Sequence, residues 1–162
     1  MTAIIFPGQG SQYSNMAMDF NDNFKISTDI FAEIEESTKI NIRKIISKNS
    51  NDELNQTKFT QIAIFSASMV IYKTMIHEFG LKVINPKIFL GHSLGEYSAI
   101  VAKDILNLTD ASNLIKIRGE LMDSAIKPNI SGMAAIIGNN AEHIDSIIKK
   151  NDLDIQIAND NS

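Results

Sequence analysis

The stretch that most constrains this chain is Gly91-His92-Ser93-Leu94-Gly95, which stands between a short apolar run, Lys87 to Leu90, and a helical stretch, Glu96 to Lys103. A buried strand that turns at once into a helix leaves no room for side chains where the two elements meet. Glycine on both sides of the serine is what such a turn requires. The turn presents the serine hydroxyl at the carboxyl end of a sheet and aims a helix N-terminus at negative charge developing beside it. Ser93 is therefore the candidate nucleophile, against the alternative of a chance glycine-serine turn.

The surrounding pattern fits an α/β fold with a hydrolase-like parallel sheet. Ala3 to Phe6 reads as a buried strand ending at the turn Pro7-Gly8-Gln9-Gly10, and a helix is predicted over about Asp29 to Ile46. Gln61 to Phe79 is apolar on nearly every side and stops at Gly80, so it is predicted to be a central helix with a glycine C-cap. Thr109 is a predicted N-cap for a further helix. Strand alternating with helix argues for parallel pairing. Beyond Lys127-Pro128-Asn129 the pattern becomes a strand (Met133 to Ile137), a helix (Ala141 to Lys150) and a strand (Ile155 to Ala158), half of a small split βαβ unit. The predicted division is residues 1–128 for the first part of the α/β core and 129–162 for an incomplete ferredoxin-like subdomain.

Composition narrows the chemistry. The chain has 162 residues, a formal net charge of −4 and no run of Lys or Arg longer than two, so it carries no electrostatic footprint for nucleic acid or an anionic membrane. Cysteine is absent, which removes disulfides, thiolate catalysis and Cys-ligated zinc. The three histidines, His77, His92 and His143, lack metal-ligand spacing, so no metal is expected; no cofactor is expected. The N-terminal MTAIIFPGQG has no basic segment and its apolar run is too short for a signal peptide or a membrane span, which points to the cytoplasm or an organelle stroma.

Five further positions accompany Ser93. An oxyanion hole needs two backbone N–H donors, one from the residue after the nucleophile, here Leu94, and one from a separate loop. The loop Gly8-Gln9-Gly10-Ser11-Gln12 is a source for the second, against a phosphate cradle or a plain turn. The dinucleotide pattern G-x-G-x-x-G fails at Tyr13, and no G-K-[ST] follows. Arg118 has Leu114, Leu121, Met122 and Ala125 around it at helical spacing, so a guanidinium interrupts an apolar stripe. Its anion is a substrate carboxylate or an internal partner such as Glu96, or the side chain snorkels to solvent. Gln61, at the start of the apolar helix, reads as a solvated first-turn residue. His92 adjoins Ser93, and neighbours on a sharp turn point apart. No histidine here is placed to be the base.

Taken together, these stretches resemble the malonyl-CoA:acyl-carrier-protein transacylase family. The matching segments are FPGQGSQ at Phe6 to Gln12, TQ at Thr60-Gln61, GHSLGEYSA at Gly91 to Ala99, RG at Arg118-Gly119 and MAAIIG at Met133 to Gly138. The resemblance implies transfer of a malonyl group from coenzyme A to the phosphopantetheine thiol of acyl carrier protein through an ester on Ser93, in fatty acid synthesis. It places Arg118 on the malonyl carboxylate, Gln9 and Leu94 on the oxyanion, and Gln61 and His92 on the pocket wall. It also implies a catalytic histidine in a later segment, so these residues are expected to form the N-terminal portion, inactive or weak unless a C-terminal half supplies that group. A serine esterase, and a non-catalytic remnant or half of a split protein, are the competing readings.

Overall fold

The computed structural model describes residues 2–48, 50–125 and 132–161, which divide into two compact units, 1–126 and 127–162. In the first unit, β1 (Thr2–Phe6) and β2 (Pro86–Gly91) form a two-stranded parallel sheet in the register Ile4 opposite Phe89 and Phe6 opposite Gly91. Between them run α1 (Met18–Asn23), α2 (Lys25–Thr38), α3 (Ile42–Lys48), a 3-10 turn (Ser50–Asn55), α4 (Thr57–Phe79) and the single turn α5 (Leu81–Ile84). After β2 come α6 (Gly95–Ala102) and α7 (Leu108–Ser124).

Helix α4 is the axis of the core. Every residue from Thr60 to Val70 is buried, because α2, α6 and α7 enclose it on different sides. It is long and apolar enough to cross a membrane by length and composition, but two-thirds of that stretch, 67%, is buried inside the protein, as a core helix should be. Helix α2 packs Ile30, Phe31 and Ile34 against it, and α7 packs Leu108, Ala111 and Ile115. Hydroxyls in these faces pair within a helix or across to a neighbouring one. Ser66 donates to the Ile62 carbonyl (2.7 Å) and Ser112 to the Leu108 carbonyl (2.6 Å), while Ser27 and Thr74 hydroxyls meet at 2.7 Å.

Several predicted elements are redrawn. The helix expected over Asp29 to Ile46 is two helices, broken where Lys39 takes a left-handed φ of 60°. The break is pinned by Glu35, whose carboxylate accepts from the Arg43 backbone N–H (2.8 Å) and guanidinium (2.6 Å). The N-cap of α7 is Asn107, not Thr109. Asn107 Oδ1 accepts from the Asp110 N–H at 2.8 Å, leaving the Thr109 hydroxyl to donate to Glu33 (3.1 Å). Gly80 does cap α4, at φ 78°.

The second unit holds α8 (Ala141–Lys150), capped by Asn140, whose side chain accepts from the His143 N–H at 2.8 Å. The strands expected at Met133 to Ile137 and Ile155 to Ala158 are not formed; both stretches are irregular and mostly exposed. A strand exists only through its ladder, and among the described residues neither stretch is paired with another. The predicted boundary Lys127-Pro128-Asn129 lies outside the described residues.

The sheet also leaves apolar surface uncovered. Ile5 is 70% exposed and Leu90 50%. An open, mainly apolar cavity of about 310 Å³ lies between β1 and α4, lined by Ile4, Ile5, Phe6, Tyr13, Ile64 and Met75 among others.

Candidate active site

The turn from β2 into α6 is built as its glycines require. A Cβ on Gly91 would stand 1.9 Å from the Gly95 carbonyl carbon, and one on Gly95 would stand 2.3 Å from the Phe6 carbonyl oxygen. Strand, turn and helix therefore touch backbone to backbone. Ser93 occupies the apex at φ 52°, a left-handed conformation that costs a non-glycine residue about 1–2 kcal/mol. The turn is held by hydrogen bonds from Gly95 N–H to the His92 carbonyl (2.9 Å), Glu96 N–H to the Ser93 carbonyl (3.1 Å) and His92 N–H to the Phe6 carbonyl (3.2 Å). As a result the Ser93 side chain is exposed at the carboxyl end of the sheet while Leu94 is buried beneath it.

The loop after β1 lies against this turn. A Cβ on Gly8 would meet the His92 carbonyl oxygen at 2.7 Å and its ring Nδ1 at 2.9 Å, so the His92 imidazole rests on the loop backbone. The loop is tied down through its glutamines. Gln12 Oε1 accepts from the Gly10 N–H (2.9 Å), Gln12 Nε2 donates to Asn55 (3.0 Å), and Gln9 Nε2 donates to the Thr57 hydroxyl (3.3 Å). Among the hydrogen bonds of the described residues, the backbone N–H groups of Gln9 and Leu94 donate to nothing.

Arg118 reaches the serine from the other side. Gly119 lets α7 close on α4, since a Cβ there would be 3.1 Å from Lys58 Cα. That approach sets Arg118 beside Gln61, one helical turn beyond Thr57. Arg118 Nη1 donates to Gln61 Oε1, Nη2 donates to Ser93 Oγ at 3.2 Å, and the guanidinium carbon lies 5.7 Å from the centre of the Tyr97 ring. Gln61 is fully buried and turns its Nε2 to Met122 Sδ at 3.0 Å.

Two expectations change here. The apolar stripe around Arg118 is not core: Leu114 and Leu121 are exposed, and the buried face of α7 is Leu108, Ala111, Ser112, Ile115 and Gly119. Nor does Glu96 pair with Arg118. Among the described residues no carboxylate lies within ion-pair distance of it. Its hydrogen-bond and ring neighbours, Gln61, Ser93 and Tyr97, are an amide, a hydroxyl and an aromatic ring, with no counter-ion among them.

The residues sequence reasoning missed are Thr57, Tyr97 and Met122. Thr57 and Met122 each stand four positions from one already singled out on the same helix, Gln61 and Arg118, so helical spacing was the signal available, whereas Tyr97 lies on α6, which begins only at Gly95, and had no such signal. Among the described residues of the first unit, the Ser93 hydroxyl oxygen has Arg118 and no histidine as its hydrogen-bond partner. His77 is sixteen residues beyond Gln61 on the same helix, about 24 Å along its axis. Among the described residues no group of three or more His, Asp or Glu side chains could hold a metal ion.

Residues 3–162 match the family model described as the acyl transferase domain. The chain belongs to that acyl transferase family. It is similar to the malonyl CoA-acyl carrier protein transacylase of Staphylococcus aureus (strain MSSA476), at 36% identity over 91% of this chain and 46% of the relative. Among solved structures it is similar to the malonyl CoA-acyl carrier protein transacylase of Clostridium perfringens (35% identity, TM-score 0.76, 91% of this chain and 46% of that one). It is also similar to the acyl-carrier-protein S-malonyltransferase of Bartonella henselae (33% identity, TM-score 0.87, 100% and 52%). This acyl transferase chain thus spans about half the length of the relatives it matches.

Proposed function

We propose that this acyl transferase chain carries the nucleophile and the acyl-binding residues of a malonyl-CoA:acyl-carrier-protein transacylase. The observation that carries the reading is the unneutralised guanidinium of Arg118 within 3.2 Å of the Ser93 hydroxyl oxygen. An apolar ester gives no reason for a cation there. An acyl group ending in a carboxylate, two bonds beyond its carbonyl carbon, does.

In this reading Ser93 Oγ attacks the thioester carbonyl. The new C–O bond forms the malonyl ester, the C–S bond breaks, and the hydroxyl proton passes to the departing coenzyme A sulfur by way of a base. The unpartnered N–H groups of Gln9 and Leu94 support their assignment as oxyanion donors. Arg118 binds the malonyl carboxylate, and His92 lines the entrance against Gly8. The phosphopantetheine thiol of acyl carrier protein then attacks the ester and reverses the sequence. The reaction balances without a cofactor, and we place it in the cytoplasm.

Among the described residues Ser93 Oγ hydrogen-bonds to Arg118 and to no base. We assign the base to a segment corresponding to the half of the relatives that the chain does not span. The uncovered apolar residues Ile5 and Leu90, and the open cavity beside β1, support packing of such a segment on this sheet. Residues 129–162 we read as the opening of a ferredoxin-like subdomain whose strands pair only with that segment.

The test is intact-mass analysis after incubation with malonyl-CoA and the complementary half supplied in trans. One malonyl group should appear on the wild-type chain and none on Ser93→Ala; label on the alanine variant would overturn the assignment.

A further inference from the structure

Gln61 is a fully buried side chain whose amide has two chemically different ends, and both are engaged. A guanidinium offers donors only, so the amide must turn its carbonyl to Arg118. The NH2 group of this buried side chain then needs an acceptor, and the atom 3.0 Å away is Met122 Sδ. Met122 stands one helical turn beyond Arg118 on α7, so the residue that fixes the amide and the residue the amide holds are stacked on one face.

We infer that Gln61 and Met122 are positioning residues that hold the Arg118 guanidinium aimed at Ser93 without neutralising it, and so set the preference for an acyl group bearing a carboxylate. This rests on the clamp role of Arg118 proposed above. The choice of amide is the informative point. A carboxylate at position 61 would pair with Arg118 as a fork and remove the charge that the acyl group needs. An amide supplies the same geometry and leaves the full positive charge. One guanidinium nitrogen stays on Gln61, while the other, on the neutral Ser93 oxygen, is the one an incoming carboxylate captures. If the amide were free to flip, its NH2 would face the guanidinium and push it off this line. Met122, 47% exposed and at the rim, prevents the flip through its sulfur rather than by filling a core.

The experiment is equilibrium binding to the 162-residue chain, which needs neither a base nor turnover. Two small thioesters serve as probes, malonyl-N-acetylcysteamine and its neutral acetyl counterpart, with affinity read by NMR titration of the Arg118 side-chain N–H. Wild type should prefer the carboxylated thioester. Gln61→Glu, of the same shape, should cut that preference about tenfold or more, the scale of one charge-assisted contact. Met122→Leu keeps the volume but removes the acceptor, and should cut it about threefold with an unchanged melting temperature, which a merely structural role would not produce. Retention of the full preference in both variants overturns the inference and leaves the Arg118 clamp standing. Absence of any preference in wild type overturns the clamp itself.

Discussion

Replacing Gly95 with alanine tests the physical basis of the elbow. The added Cβ would lie 2.3 Å from the Phe6 carbonyl oxygen and 2.9 Å from both the Phe6 carbonyl carbon and the Pro7 oxygen. A carbon–oxygen contact needs about 3.3 Å, so β1 and α6 must part by about 1 Å. Every obstructing atom is backbone, and Phe6 is held opposite Gly91 in the sheet, so no side chain can swing aside. Overpacking of this kind costs about 1–3 kcal/mol, at the upper end here, against at most about 1 kcal/mol returned by alanine in a helix. The expected net loss is about 2 kcal/mol, roughly thirtyfold in the unfolding equilibrium. Urea unfolding followed by circular dichroism measures it as a lower midpoint at unchanged slope. Gly119→Ala is the internal control: its Cβ would meet Lys58 Cα at 3.1 Å, a squeeze of a few tenths of an ångström, and its loss should be less than half as large. A Gly95→Ala protein as stable as wild type, or less harmed than Gly119→Ala, would refute the reasoning.

Two other consequences concern the frame. Asn107→Ala should cost about 1 kcal/mol by removing the cap of α7, while Thr109→Ala should cost much less; a reversed order in thermal unfolding would restore Thr109 as the cap. The Tyr72 phenol, which donates to the Ala102 carbonyl at 3.0 Å, is held above the usual phenol pKa first by burial and then by the negative charge of Asp104. Because the folded-state value is raised, its contribution is fully present below the unfolded phenol value of about 10 and is lost as pH rises through the folded value. Stability measured across that alkaline range should therefore fall less steeply in Tyr72→Phe than in wild type, and an identical slope would count against the assignment.

Much of the frame was legible because it depends on local rules. A glycine pair around a serine between strand and helix permits few conformations, and Ser93 stands where those rules put it. An apolar run with no polar face has to be enclosed, and α4 is. The misses have equally specific causes. Lys39 breaks a helix with no proline or glycine to announce it, because Glu35 and Arg43, eight residues apart, bond across the bend. The expected strands after residue 132 fail because a short apolar stretch proposes a strand but a partner ladder makes one.

Arg118 marks the division most clearly. Spacing along one helix identified a cation in need of an anion and left substrate, Glu96 and solvent equally open. The packing of α7 on α4 through Gly119 and Lys58 decided among its near neighbours: a neutral amide, a hydroxyl and an aromatic ring, with no carboxylate among the described residues in reach. The sequence by itself determined the elbow, the central helix and the residue types of the site, since these follow from sterics and burial within a few residues. Only the tertiary structure decided which side chains meet and which charge stays unpaired, since contacts 25 and 57 residues apart depend on how whole helices pack.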